Sequence, residues 1–211
     1  MTSKRHAILP PRFAAWLISL FSGDEKETLI GDLHEEFSQL TSKSGLAFAR
    51  RWYWRQTWKS IGHLFCCAFR FAPLSTSAAV VVGFLISHFL FTLPEKAMFA
   101  VVDRYQLFER HFNFYLFLAT KGIAMSHVIA SMAVGCVTAS IAKGKEMVVT
   151  TALVLVLLAM TVLAFIWIAT RNVPMMVWGM LPWNTADWLA ILIGGVMIRT
   201  LRSASPLPKR R

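Results

Sequence analysis

Two patterns of apolar residues divide this chain near residue 73. Before that point apolar positions recur at helical spacing among charges; beyond it they merge into long runs. After Pro10 and Pro11, RFAAWLISLFS places Phe13, Trp16, Leu17, Leu20 and Phe21 on one helical face. Pro11 suits a first helical turn. About a dozen residues are too few to cross a bilayer, so this helix is either buried or lies in an interface. Ser22 to Asp24 offer a cap for a second helix, with acids in its first turn where the helix dipole favours them. Its apolar stripe is Leu29, Ile30, Leu33, Phe37 and Leu40, and SKSG ends it. A third helix is expected from near Leu46 to about Phe71, and Pro73 breaks the chain.

The later runs predict four membrane spans, at about 74–93, 114–142, 147–169 and 183–201. A span needs roughly 20 apolar residues; the fourth is the weakest because it is short and carries Asp187. Pro94 is expected to close the first. KGKE makes the second and third antiparallel neighbours. Met98, Val101, Val102, Tyr105, Phe108 and Phe112 repeat at helical spacing, as an outer-surface amphipathic helix or an extension of the second span. NVPMMVWGMLPW reads as an interfacial loop, with Trp178 and Trp183 suited to the headgroup belt. The expected fold is all-α. A cytosolic head of about three helices, 1–73, precedes a four-helix transmembrane bundle, 74–203, and a basic tail, 204–211. Small residues at every fourth position (Ala79, Gly83, Ser87; Ser131, Gly135, Ala139; Ala190, Gly194) predict close helix packing, as a bundle or an oligomer.

Composition supports the membrane reading. Of 211 residues 56% are hydrophobic and 16% charged, more apolar surface than a water-soluble domain of this length can cover. The formal net charge of +11 is placed unevenly. Ten of the 22 lysines and arginines lie in residues 1–73, two in KGKE, and Arg202, Lys209, Arg210 and Arg211 close the chain. The 94–113 connection balances Lys96, Arg104 and Arg110 with Glu95, Asp103 and Glu109, and 170–184 has Arg171 alone. Both termini are therefore expected in the cytoplasm, which requires an even number of spans. MTSKRHAILPPRF lacks the apolar core and cleavage site of a signal peptide. Cys66, Cys67 and Cys136 form no zinc or disulfide pattern and read as small apolar fillers. No metal ligand set, cofactor or catalytic group is expected.

RRWYWRQ, residues 50–56, is the densest chemical signal. On a helix Arg51 and Arg55 share one face and Trp54 and Trp58 another. A hairpin with the preceding helix would set Asp32, Glu35 and Glu36 against Arg50, Arg51 or Arg55, with Trp52, Trp54 and Trp58 packed beneath. Hairpin packing and membrane-surface anchoring both suit the segment. A nucleic-acid partner is not expected, because acids precede it and no binding fold surrounds it. His34 beside Glu35 and Glu36 reads as a solvated face: Asp32, His34 and Glu36 do not project together.

LIGDLHEEF followed by ARRWYWRQTWKS resembles the permease prefix domain 2 family, over about residues 10–70. The resemblance implies a cytosolic helical module of the kind found before macrolide-exporter-type ABC permeases and on short stand-alone bacterial membrane proteins. The localisation it implies is the bacterial inner membrane. The chain departs from such permeases in the short connection after its first span, and no GxxxxGK[ST] phosphate loop occurs.

Within the spans His88, Lys121, His127 and Asp187 stand out, since ionisable groups in lipid are costly. A Lys121–Asp187 pair with a histidine nearby would make an outer-leaflet polar pocket. Alternatively Lys121 snorkels and Asp187 caps its helix. The expected function is non-enzymatic: a membrane-tethered head acting as an interaction or regulatory module, accessory to a transporter or a membrane-stress response. Its partners would be the lipid bilayer and either a membrane or cytosolic protein or further copies of itself. The second reading is a small transporter or sensor using the polar cluster.

Overall fold

The computed structural model describes residues 9–22, 26–170 and 176–204, with the backbone alone for Lys26 and 176–183. The described residues are helical throughout, without strands: α1 (Arg12–Phe21), α2 (Lys26–Ser44), α3 (Leu46–Phe71), α4 (Pro73–Tyr105), α5 (Leu107–Arg110), α6 (Phe112–Phe117), α7 (Ile123–Ile141), α8 (Glu146–Thr170) and α9 (Met176–Ala204). A π-helical turn, Leu118–Gly122, joins α6 to α7. The chain divides into two compact units, Met1–Pro73 and Leu74–Arg211.

In the first unit Pro11 stands at the N-cap of α1, and its carbonyl accepts from Ala15 N at 3.1 Å. Glu27 in the first turn of α2 and Lys43 in its last oppose the helix dipole. Gly45, at φ +83°, supplies the left-handed step between α2 and α3. Ala14 and Ile18 of α1, Leu33 and Phe37 of α2, and Ala49 and Tyr53 of α3 form the core. The Phe37 ring meets Tyr53 edge-on at 5.7 Å. The stripe expected for α2 faces this core, Leu29, Ile30 and Leu40 packing at its margin. The face expected for α1 is enclosed only in part: Leu20 is buried, but Phe13 is 60% and Trp16 48% exposed. Ala14 and Ile18 face inward instead, because a small residue lets α1 approach α3 where an indole would hold it off. The cap residues Gly23 and Asp24 lie outside the described residues.

In the second unit α4, α8 and the continuous helix Phe112–Ile141 are each long and apolar enough to cross a membrane. The fourth expected span is not among them: Asn184, Asp187, Arg199 and Arg202 dilute the apolar run of α9. Its helix nonetheless begins at Met176, so most of the segment expected as an interfacial loop has a helical backbone; the side chains of Trp178 and Trp183 lie outside the described residues. Pro94 does not close the first span. α4 passes through it to Tyr105, since a proline costs a helix one hydrogen bond and a membrane helix tolerates that. The expected amphipathic stretch 96–112 is thereby divided. Its first part continues α4, and the chain turns at Gln106, which has φ +48°.

Val134 of α7, Leu153 of α8 and Ile191 of α9 share one core with Phe84 of α4, while Ala79 of α4 meets Ala142 and Val149. The small residues occupy the contacts. A Cβ on Gly135 would run into the Ile191 carbonyl, and one on Gly194 would lie 2.9 Å from Cys136 N, so α7 and α9 touch backbone to backbone. Ala79, Ser87, Ser131, Ala139 and Ala190 are buried, as close packing requires. Thr138 and Thr150 are also buried, and each donates to a carbonyl of its own helix, Thr138 Oγ1 to Val134 O at 2.8 Å and Thr150 Oγ1 to Glu146 O at 3.0 Å. Burial falls along α8, from its enclosed first turns, Glu146–Thr150, to an exposed second half with Leu163, Ile166 and Trp167.

Candidate functional site

Three places gather chemistry: a face of the first unit, and both ends of the packed helices in the second.

On the first unit, Trp16, Phe13, Trp54 and Trp58 form a ladder of rings, with centroids 5.4, 6.1 and 6.5 Å apart in that order. Beside it Phe48, Arg51, Trp52 and Arg55 line a concavity of about 270 Å³. Positions 48, 51, 52 and 55 share one helical face by their spacing. Trp58 is 61% exposed, Trp52 and Trp54 half-buried, and Arg50, Arg51 and Arg55 exposed. The expected ion pairs across the hairpin do not form: Asp32, Glu35 and Glu36 lie on the exposed side of α2, and Glu35 accepts from Gln39 instead. Phe37 and Tyr53 hold the hairpin, and their apolar contact turns the acids away from α3. His34 packs its ring 6.2 Å from Tyr53. The Tyr53 hydroxyl is buried without a hydrogen-bond partner, and that burial pushes its phenol above the ordinary 10.0.

At one end of the second unit, Glu95, Ala119, Thr120, Ile123, Ala124, His127, Asn184 and Asp187 line a pocket of about 460 Å³. Thr120, Ala124 and His127 recur at spacings of four and three, so one helical face supplies them. Ser131, one turn further, is fully buried; Asp187 faces both it and His127, although the Ser131 hydroxyl falls short of hydrogen-bond geometry. The Phe91 ring packs on His127 at 5.5 Å, and the imidazole Nε2 is buried without a partner. Of the four residues singled out in the spans, the structure brings His127 and Asp187 together. His88 and Lys121 are exposed and do not line the pocket. Asp187 approaches Ser131 and His127, while Lys121, expected as its partner, sits in the π-helical turn. Glu95, Thr120, Ser131 and Asn184 were not anticipated. The four-three-four spacing of Thr120, Ala124, His127 and Ser131 is the signal that marks Thr120 and Ser131.

At the other end Arg202 of α9 pairs with Glu146 of α8. It also donates to the carbonyls of Ser140, at 2.8 Å, and Ala139, at 3.4 Å. Glu146 is 5% exposed and accepts from Gly144 N at 3.0 Å. The turn needs Gly144, whose φ is +78°.

No protein-family model matches the chain, and neither a curated protein nor a solved structure gives a match.

Proposed function

We propose that the chain is a non-enzymatic integral protein of a bacterial inner membrane, its first 73 residues a cytosolic interaction module on a four-span bundle with both termini inside. One observation carries this reading. The first unit closes its core with Ala14, Ile18, Leu33, Phe37, Ala49 and Tyr53, yet leaves the Phe13–Trp54–Trp58 ladder and the Arg51–Arg55 concavity open. Aromatic rings and arginines are the side chains that dominate protein interfaces. The distribution of basic residues supports the inside placement, and the close packing of α9 on α7 through Gly135 and Gly194 supports taking α9 as the fourth span of this reading. The likeness of LIGDLHEEF and ARRWYWRQTWKS to the permease prefix family suits a module of this kind.

A photoreactive amino acid in place of Trp58, activated in native membranes, tests the reading. A discrete protein adduct is expected, lost with Arg51→Glu and Arg55→Glu and retained with Glu35→Gln and Glu36→Gln. Adducts to lipid alone would replace the interaction module with a membrane-surface anchor.

A further inference from the structure

The acidic pocket of the second unit has no part in the reading above and stands independently of it. We propose that it binds a small organic cation: a protonated amine carrying an apolar body.

Charge selects the sign. Glu95 from α4 and Asp187 from α9 line the pocket, and among the described residues no lysine or arginine does, in a chain with twice as many bases as acids. An anion entering would meet two carboxylates, and like charges repel. Spacing selects the size. Among the described residues no three histidines, cysteines or carboxylates come together closely enough to hold a metal ion. The charges stand on separate helices around about 460 Å³, within the range of small-molecule sites, roughly 300–1,000 Å³.

An unmet polar atom selects the chemistry. His127 lines the pocket beside Asp187, and its Nε2 is buried without a hydrogen-bond partner. Such a group is costly in a membrane interior, and a ligand ammonium offers donors to Asp187 and to an imidazole nitrogen. Asn184 adds an amide carbonyl that accepts, while Ile123 and Ala124 form an apolar wall for the rest of the ligand.

Calorimetry on the full chain in nanodiscs of zwitterionic lipid tests this with three probes of one shape: phenethylammonium, 2-phenylethanol and phenylacetate. Saturable binding of the ammonium is expected, with the alcohol weaker by about tenfold or more, since charge-assisted hydrogen bonds are the stronger ones, and no binding of the carboxylate. Asp187→Asn and Glu95→Gln should each weaken the ammonium and leave the alcohol unchanged. Ala124→Phe should fill the pocket and abolish both. Equal affinity for the three probes, or no ammonium binding at millimolar concentration, overturns the proposal. If Asp187→Asn does not fold, unchanged ammonium binding in Glu95→Gln and Ala124→Phe overturns it equally. Loss of the Trp58 adducts would leave these results untouched.

Discussion

The Arg202 guanidinium holds the Glu146 carboxylate at the meeting of three helix ends. Glu146 sits in the first turn of α8, Arg202 in the last turn of α9, and the carbonyls Arg202 reaches, Ala139 and Ser140, end α7. Each charge opposes the dipole of the helix end it meets. Arg202→Ala would strand a buried carboxylate and three-helix packing with it, at a cost of about 3 kcal/mol. Glu146→Gln keeps an acceptor for Gly144 N and should cost less. Thermal unfolding in detergent measures both. A double variant whose loss equals the sum of the two would show that the residues are uncoupled.

Two glycine substitutions should act in opposite directions. Gly135→Ala forces a methyl into the Ile191 carbonyl and should separate α7 from α9, with an overpacking cost of about 3 kcal/mol or more. Gly31 lies within α2 with nothing near its Cβ position. Gly31→Ala should stabilise the chain by about 0.5–1 kcal/mol through helix propensity. Chemical denaturation of the two variants, read by circular dichroism, separates these outcomes.

Tyr53 makes the first unit sensitive to alkali. The folded chain holds the phenol proton more tightly than an unfolded one, whose tyrosine releases it near 10.0. The stability this contributes is complete below pH 10 and is lost as pH rises through the folded-state value. Tyr53→Phe removes an unpartnered hydroxyl, so at neutral pH it should leave stability unchanged or raise it by about 1 kcal/mol. It should also flatten the loss of stability above pH 10. A Phe variant that unfolds with the same alkaline profile as the parent would assign that profile elsewhere.

Cysteine labelling reads the proposed topology. Cys66 is exposed on α3, while Cys67 lies 3.3 Å from His63 Nε2 and Cys136 packs against the Gly194 carbonyl. A membrane-impermeant maleimide should modify Cys66 in inside-out vesicles and not in intact cells, with Cys66→Ser removing most of the signal. Modification of Cys66 in intact cells would place the first unit outside.

Much of the packing can be read from the chain itself. Ala79–Gly83–Ser87, Ser131–Gly135–Ala139 and Ala190–Gly194 stand out as small residues among large ones, and they occupy the helix contacts because only small side chains allow so close an approach. The core stripe of α2 is legible for the same kind of reason: charges leave it one apolar face. In α1 eight of ten residues are apolar, so spacing favours the bulky Phe13 and Trp16 although fit favours Ala14. Pro94 misleads because its usual effect belongs to helices in water. The Glu146–Arg202 pair is hidden by sequence distance, 56 residues, and Arg202 resembles any other base near the end of the sequence. Asp187 is conspicuous, but its neighbours depend on the rotation of α7, which the π-helical turn alters.

In the second unit the ionic clasp and the acidic pocket lie at opposite ends of α7 and α9. Arg202 pins one set of ends together, and α8 becomes more exposed toward Thr170. A motion that parted α7 and α9 at their far tips with this clasp closed would widen the mouth of the pocket.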